Sequence, residues 1–233
     1  MTKPSPVDGS ERALPDYVLV TPARDEKARM PALLAAVEAQ DHLPCLWLVV
    51  DDGSTDGSLR WLALAAADRP WMYVIPFPES PTEYLGGHVA RVKAHGAEQA
   101  LTLAARRGLS PRYAAVLDAD MIPAPDYYST ILTRMEASPT LGVASGLVTS
   151  PGQDRRIEVE AFQRRDLPRG PIQVFRVACL TDIGGLPPYA GYDGIANVKA
   201  GLRGWERRLY TDLVAEQARA TATRYGSFAG FRR

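Results

Sequence analysis

The chain has few of the residues that hold disulfide-rich or metal-rich proteins together. Its 233 residues include 2 cysteines and 3 histidines. Cys45 and Cys179 both lie next to apolar residues, so we interpret them as small core residues rather than as a disulfide or a metal pair. His42, His88 and His95 have no metal-ligand spacing; we expect His88 in a loop and His95 at the surface. The sequence therefore argues against a disulfide scaffold and against a zinc-finger site.

Long apolar runs and net charge are also missing. No run approaches the roughly 18 apolar residues that span a bilayer, and residues 1–15 are Pro-rich, without the apolar core of a signal peptide. Lys and Arg together number 27, as do Asp and Glu, so composition supplies no general attraction to nucleic acid or to an anionic membrane. We therefore predict a cytoplasmic protein with a flexible tail over residues 1–15 and no nucleic-acid partner.

Two acidic clusters each follow a run of strand-forming residues. Asp51-Asp52-Gly53-Ser54 follows Leu46–Val50, and Asp118-Ala119-Asp120 follows Tyr113–Leu117. An unbroken apolar run indicates a strand buried on both faces, so each cluster is expected at the carboxyl edge of a parallel sheet, where open α/β folds bind ligands. Carboxylates gathered at one edge need a divalent cation, a sugar hydroxyl or a nucleobase N–H to balance their charge.

Strand and helix patterns alternate through the first two thirds of the chain. We predict strands at 17–20, 46–50, 72–75, 113–117 and 142–148, and helices around 33–40 and at 56–67, 89–107 and 126–136. Residues 77–87 are rich in Pro and Gly and are predicted to form a loop. Later candidates are strands at 157–162 and 172–180 and a helix at 195–202. The pattern indicates an α/β fold, a mostly parallel sheet flanked by helices, with a smaller mixed region in the last third.

Several short motifs resemble those of the family 2 glycosyltransferases of the GT-A fold. They are Thr21-Pro22-Ala23-Arg24-Asp25-Glu26, Val49 to Asp56, Leu117 to Asp120, Gly184-Gly185-Leu186, Gly191-Tyr192-Asp193-Gly194, Lys199-Ala200 and Gly204-Trp205. The resemblance covers roughly Tyr17 to Trp205. It implies an inverting, metal-dependent enzyme that transfers a sugar from a nucleotide diphosphate sugar, expected to be a UDP-sugar, to a hydroxyl. A carbohydrate or a lipid-linked molecule would be the acceptor, in polysaccharide or glycoconjugate synthesis.

The resemblance places the nucleotide at the ends of the first two strands. Asp52 would accept a hydrogen bond from the nucleobase N–H. The residues that follow the first strand would line the same pocket: Thr21, Pro22, Arg24 and Glu26. A local alternative makes Asp52 and Ser54 simply turn and helix-cap residues.

The second acidic cluster would bind the diphosphate through Mg²⁺ or Mn²⁺. Asp120 is the first choice as direct metal ligand, and Asp118 is the second choice and a further nucleotide contact. Both carboxylates can face one ion only if the strand has ended before them, since alternate residues of a strand point to opposite faces. Lys93, in the preceding helix, would lie near the diphosphate, whereas Arg91 fits a solvated helix face equally well.

Asp193 is the candidate catalytic base. Inverting relatives use a carboxylate that follows a Gly-Gly turn, as the second member of an acidic pair; here the first member is Tyr192. Asp193 could instead cap the helix predicted at 195–202. Tyr192, together with the lack of a histidine after that helix, motivates a second hypothesis: a catalytically inactive nucleotide-sugar-binding protein of the same fold.

The predicted organisation is one GT-A domain over residues 16–215. Its nucleotide-binding half would cover about 16–120 and its acceptor-binding half about 121–215. Residues 216–233 form a basic, aromatic tail, for which we consider disorder, closure over the donor, contact with a partner chain and peripheral contact with a membrane surface. Thr21–Arg24 carry no Gly-rich phosphate loop, which argues against a nicotinamide-dependent oxidoreductase and a sugar nucleotidyltransferase.

Overall fold

One eight-stranded sheet runs through the part of the chain that the computed structural model describes, residues 14–78, 85–149 and 167–218. Its strands are β1 (Tyr17–Ala23), β2 (Leu46–Asp51), β3 (Met72–Pro76), β4 (Tyr113–Leu117), β5 (Met121–Pro123), β6 (Leu141–Thr149), β7 (Ile172–Arg176) and β8 (Glu206–Gln217). The order across the sheet is β3-β2-β1-β4-β7-β6-β8-β5. The first four strands in this order are mutually parallel. β7 is antiparallel to β4 and β6, while β8 is parallel to β6 and antiparallel to β5.

Helices cover both faces of this sheet. They are α1 (Met30–Glu38), α2 (Ser58–Ala67), α3 (Leu85–Arg106), α4 (Tyr127–Glu136), α5 (Val177–Asp182) and α6 (Tyr192–Leu202). Side chains that alternate along β1 and β2 enter two separate cores, since successive strand residues point to opposite faces. α1, α2 and α4 supply one core, and α3, α5 and α6 supply the other. Within the described ranges, no helix is both long and apolar enough to cross a membrane.

The predicted α/β architecture with a mixed last third is confirmed. The strand predicted at 172–180 is wrong in its second half, because β7 ends at Arg176 and α5 follows it. The buried Arg176 guanidinium donates to the carbonyls of Met135 and Leu141, which fixes the end of β7 against the end of α4. The candidate strand at 157–162, most of the N-terminal tail and residues 219–233 lie outside the described residues.

Two helices begin earlier than the sequence predicts. α3 begins at Leu85 and not at about residue 89, so His88 lies in a helix rather than in a loop, and our expectation for it was wrong. His88 is fully buried, and its ring packs edge-on against Phe77 at a centroid distance of 5.4 Å. α6 begins at Tyr192 rather than at 195, which brings Asp193 into its first turn.

Gly96 lets α3 lie directly on the parallel part of the sheet. A Cβ at this position would sit 2.5 Å from Val20 Cγ1 and 2.9 Å from Val50 Cγ2, so a larger residue cannot fit without movement. This close approach holds the first turns of α3 over the carboxyl ends of β1 and β2. It therefore decides where the polar side chains of α3 can reach.

Replacing Gly96 with Ala should destabilise the fold. The added methyl group must displace valine side chains in a packed core, which typically costs about 1–3 kcal/mol. Gly194→Ala is the matched control, since a Cβ at that position in α6 meets no atom within 4 Å. Ala is favoured over Gly inside a helix, so the control should be as stable as wild type or more stable. Urea unfolding of both variants tests this, and equal stability would contradict the close packing of α3.

Candidate functional site

The register of the parallel strands brings several of the predicted site residues to one edge of the sheet. Ala23 lies beside Asp51 in the β1–β2 pair, and the Asp52 N–H donates to the Ala23 carbonyl at 2.8 Å. β4 lies on the other side of β1 and ends next to Asp118. A cavity of about 150 Å³ opens at this edge. Its lining comes from the ends of three strands, β1, β2 and β4, and from α3: Pro22, Ala23, Arg24, Glu26, Asp52, Val89, Val92, Asp118, Ala119 and Asp120.

Asp25 ties the segment after β1 to the segment after β2. Its backbone is left-handed, with φ of 52°, and its Oδ1 accepts hydrogen bonds from the N–H groups of Thr55 at 2.7 Å and Asp56 at 3.3 Å. In return, the Asp25 N–H donates to Ser54 Oγ at 3.0 Å. Ser54 therefore serves this contact and not the start of α2, which Gly57 precedes with φ of 89°. The sequence pattern did not single out Asp25 for this role.

Asp56 and Ser58 extend the same contact between the two segments. Ser58 Oγ accepts from the Glu26 N–H, and Asp56 Oδ2 accepts from the Lys27 N–H, both at 3.0 Å. Burial acts to raise the pKa of Asp56, but hydrogen bonds from Ser58 and Lys27 lower this pKa below its ordinary value. The charged carboxylate is therefore the form that holds the two segments together.

Asp52 is held from two sides at the cavity. The side chain is 6% exposed, and His88 Nε2 lies 2.6 Å from its Oδ1. Arg24 Nη1 lies 3.9 Å from Asp52 Oδ2, at the cavity mouth. The structure does not bring Thr21 to the cavity, because its buried Oγ1 accepts a hydrogen bond from Trp47 Nε1 at 3.0 Å.

Asp118 and Asp120 lie past the end of β4, which ends at Leu117. The Met121 N–H donates to the Asp118 carbonyl at 3.0 Å, closing a turn that places both carboxylates on the same cavity. Gln217 Nε2, at the end of β8, donates to Asp120 Oδ2 at 3.2 Å. The strand has therefore ended before both carboxylates, which is the condition for the two of them to face one ion.

Lys93 is almost fully buried and forms an ion pair with Asp118, whose side chain remains 26% exposed at the cavity. The Nζ atom lies 2.5 Å from Asp118 Oδ1 and 3.0 Å from the Tyr192 hydroxyl. Burial acts to lower the pKa of Lys93, but the charges and hydrogen bonds of Asp118 and Tyr192 outweigh it and raise that pKa above its ordinary value. Burial raises the pKa of Asp118, with Lys93 acting against it. Lys93 thus neutralises Asp118 inside the protein, rather than projecting into the cavity.

Asp193 is tied to this pair through a close backbone approach at Gly170. Its Oδ2 accepts the Gly170 N–H at 3.2 Å, and the Tyr192 hydroxyl donates to the Gly170 carbonyl. A Cβ on Gly170 would lie 2.9 Å from Asp193 Oδ2 and 3.0 Å from the Tyr192 hydroxyl, so only glycine fits. Gly191 precedes α6 as its cap residue, so the capping interpretation of Asp193 is wrong. Gly170 carried no signal in the sequence.

The carboxylate oxygens of this site suit a hard divalent cation whose coordination shell is completed by a bound ligand. Among the described residues, no group of three or more His, Cys, Asp or Glu side chains could by itself enclose a metal ion. Mg²⁺ is usually bound through one or two carboxylates, with substrate phosphates and waters completing its shell. Asp120 and Asp118 supply that number of carboxylates.

A larger groove lies elsewhere on α3. Its volume is about 750 Å³, and it runs between the exposed side of α3 and the segment from Leu180 to Pro188. Arg91 and His95 line it, but Asp52, Asp118, Asp120 and Asp193 do not. Asp52, Asp118 and Asp120 line the smaller cavity instead, whereas Asp193 lines neither of the two.

The chain matches the family model described as glycosyl transferase family 2 over residues 18–233, and it belongs to this family. No curated protein matches it in sequence. Among solved structures it is similar to the mannosyltransferase PcManGT from Pyrobaculum calidifontis, in complex with GDP-Man and Mn²⁺, with a TM-score of 0.69 and 22% identity over 91% of this chain and 59% of that one.

Two further structures share the fold. S. aureus TarS 1-349 has a TM-score of 0.65 and 14% identity over 87% of this chain and 60% of that chain. GalNAc-T7 with UDP, GalNAc and Mn²⁺ has a TM-score of 0.67 and 10% identity over 89% of this chain and 44% of that chain. The predicted GT-A fold is thereby confirmed. The chain spans about three fifths of the length of PcManGT and of TarS 1-349.

The Asp25 contact should be important for stability. Asp25→Ala removes the acceptor of the Thr55 and Asp56 N–H groups and strains the left-handed backbone, so we expect a loss of about 1–3 kcal/mol. Asp25→Asn is the control, because Asn keeps a side-chain oxygen and tolerates a left-handed conformation. Chemical denaturation measures both variants. An Ala variant as stable as the Asn variant would show that this contact contributes nothing.

Proposed function

We propose that this protein is a metal-dependent, inverting glycosyltransferase that uses a nucleotide diphosphate sugar, with a UDP-sugar as the expected donor. One observation carries the proposal: Asp52, Asp118 and Asp120, from two separate strand ends, line one cavity. Support also comes from structural relatives solved with GDP-Man, with UDP and with UDP-GlcNAc. A hydroxyl of a carbohydrate or lipid-linked molecule is the acceptor in this proposal.

The donor would lie across the strand ends. Asp52 accepts a nucleobase N–H, and Pro22, Arg24 and Glu26 line the same cavity. Asp120 would be the direct ligand of Mg²⁺ or Mn²⁺ and Asp118 the second, because Lys93 already balances the charge of Asp118. When bound, the metal ion stabilises the negative charge that grows on the leaving diphosphate. Without the ion, the carboxylates would repel the diphosphate.

Asp193 is the proposed general base. It would take the proton from the acceptor hydroxyl while the hydroxyl oxygen forms a bond to the anomeric carbon. The electron pair of the broken bond leaves with the nucleoside diphosphate, on the opposite face of the sugar. The Gly170 N–H fixes one carboxylate oxygen of Asp193. A fixed orientation matters, since a general base must lie within hydrogen-bond reach of the proton that it removes.

The inactive-protein hypothesis is motivated by Tyr192, which occupies the position of an acid in the family pattern. Here its hydroxyl is buried, accepts from Lys93 and donates to the Gly170 carbonyl. These contacts give Tyr192 a structural role that does not need a carboxylate. The two hypotheses differ in whether Asp193 supports turnover.

Asp120→Ala should remove most of the metal dependence of nucleotide binding. We expect the affinity gain of UDP on adding Mn²⁺ to fall by at least about tenfold, as when metal sites lose even an outer-shell group. Asp68→Ala removes the same charge from an exposed position at the end of α2 and should bind like wild type. Calorimetry with Mn²⁺ and with chelator measures the gain. The same gain in Asp120→Ala as in wild type would exclude Asp120 as a ligand.

Asp193→Asn should lower turnover far more than donor binding. Loss of a positioned base typically costs on the order of 10²–10⁴ in rate. The amide oxygen can still accept the Gly170 N–H, so the melting temperature and the UDP affinity should stay close to wild type. Donor hydrolysis or transfer by the purified protein gives the rate. Near-normal turnover in Asp193→Asn would exclude this residue as the base, and no turnover by wild type with any donor would support the inactive-protein hypothesis.

A further inference from the structure

His88 forms a polar chain with Asp52 that the sequence did not predict. The histidine is fully buried in the first turn of α3. Its Nε2 lies 2.6 Å from Asp52 Oδ1, and Arg91 Nη2 lies 3.2 Å from its Nδ1. Both ring nitrogens are therefore engaged, one toward the cavity and one toward the outer side of the helix.

The partners of the ring fix its tautomer. An arginine guanidinium carries donors and no acceptor, so Nδ1 of His88 must be the unprotonated, accepting nitrogen. The proton of the neutral ring then lies on Nε2 and is donated to Asp52 Oδ1. His88 accordingly acts on Asp52 as a hydrogen-bond donor from beneath the cavity.

The two oxygens of Asp52 are thus in different situations. Oδ1 is engaged by His88, whereas Oδ2 accepts no hydrogen bond from any residue in the described ranges and has Arg24 Nη1 at 3.9 Å. Rotation of the carboxylate would break the His88 hydrogen bond in a buried place. Asp52 therefore offers a ligand one well-placed oxygen rather than a symmetric pair.

We infer that His88 is a positioning residue that sets the base selectivity of the site, by leaving Asp52 Oδ2 as a single acceptor for a base with one N–H on its pairing edge. Uracil has this edge, with one N–H between two carbonyls. Guanine presents two adjacent donors and needs two adjacent acceptors. Cytosine turns an unprotonated ring nitrogen toward the carboxylate. This inference rests on the proposed function, because it takes Asp52 as the base contact.

Selectivity should be visible in the wild-type protein. A buried donor or acceptor left unpaired is costly, so UDP should bind about tenfold or more tightly than GDP or CDP when Mn²⁺ is present. The diphosphate and the metal ion are common to all three ligands. A difference between them therefore reports on contacts to the base.

The variants separate hydrogen bonding from packing. His88→Ala removes the donor and frees Asp52 to rotate, and should reduce the ratio of UDP to GDP affinity by about tenfold. His88→Gln places an amide N–H near the position of Nε2 and should restore most of the ratio. His95→Ala is the control, because His95 packs edge-on against the same Phe77 ring at 5.5 Å and lies outside the small cavity. It should leave the ratio unchanged.

Calorimetric titration of UDP, GDP and CDP against wild type and the three variants tests the inference. A preference for UDP that falls in His88→Ala and returns in His88→Gln supports it. It is overturned if wild type prefers GDP or CDP, or if His88→Ala weakens all three nucleotides by the same factor, as a purely structural role would. Both of those results leave a nucleotide-sugar-dependent transferase in place, although a preference for GDP or CDP would change the expected donor. A wild-type protein that binds no nucleotide diphosphate would instead contradict the proposed function. Should His88→Ala not fold, a wild-type preference for GDP or CDP would still overturn the inference.

Discussion

The buried ion pair between Lys93 and Asp118 is the contact on which the site depends. Lys93 comes from α3 and Asp118 follows β4. Tyr192, whose hydroxyl accepts a hydrogen bond from Lys93, is the first residue of α6. Leaving the buried Lys93 ammonium unpaired would cost several kcal/mol. The ion pair therefore holds α3, the end of β4 and α6 in one arrangement. The pair also distinguishes the two carboxylates of the second cluster. Asp118 is paired with Lys93, whereas Asp120 accepts a hydrogen bond from Gln217.

Close backbone approaches make this arrangement possible. Gly96 allows α3 to contact β1 and β2, so that Lys93 and His88 reach the sheet edge from one helix. Gly170 allows Asp193 and Tyr192 to approach the chain just before β7. That segment is held in turn, because Ser145 Oγ accepts the Arg169 N–H at 2.8 Å and Asn197 donates to the Pro168 carbonyl at 3.1 Å. The candidate base is thus positioned by the mixed part of the sheet, and the small cavity by the parallel part.

Features that depend on local pattern could be predicted from the sequence. The apolar runs before Asp51 and Asp118 define strands, and the parallel order of β3, β2, β1 and β4 then brings their ends together. Contacts between distant residues could not be predicted in this way. His88 meets Asp52 across 36 positions and Lys93 meets Tyr192 across 99, and neither residue type signals its partner. Ambiguity between helix and strand explains the error at 177–180, since a short apolar run fits both.

A crystal structure of the wild-type protein with UDP and Mn²⁺ tests the central claim most directly. We expect an anomalous manganese peak within coordination distance of an Asp120 oxygen and of the diphosphate, with the uracil ring against Asp52 in the small cavity. Manganese and nucleotide bound in the larger groove between α3 and Pro188, or away from Asp120 and Asp52, would contradict it.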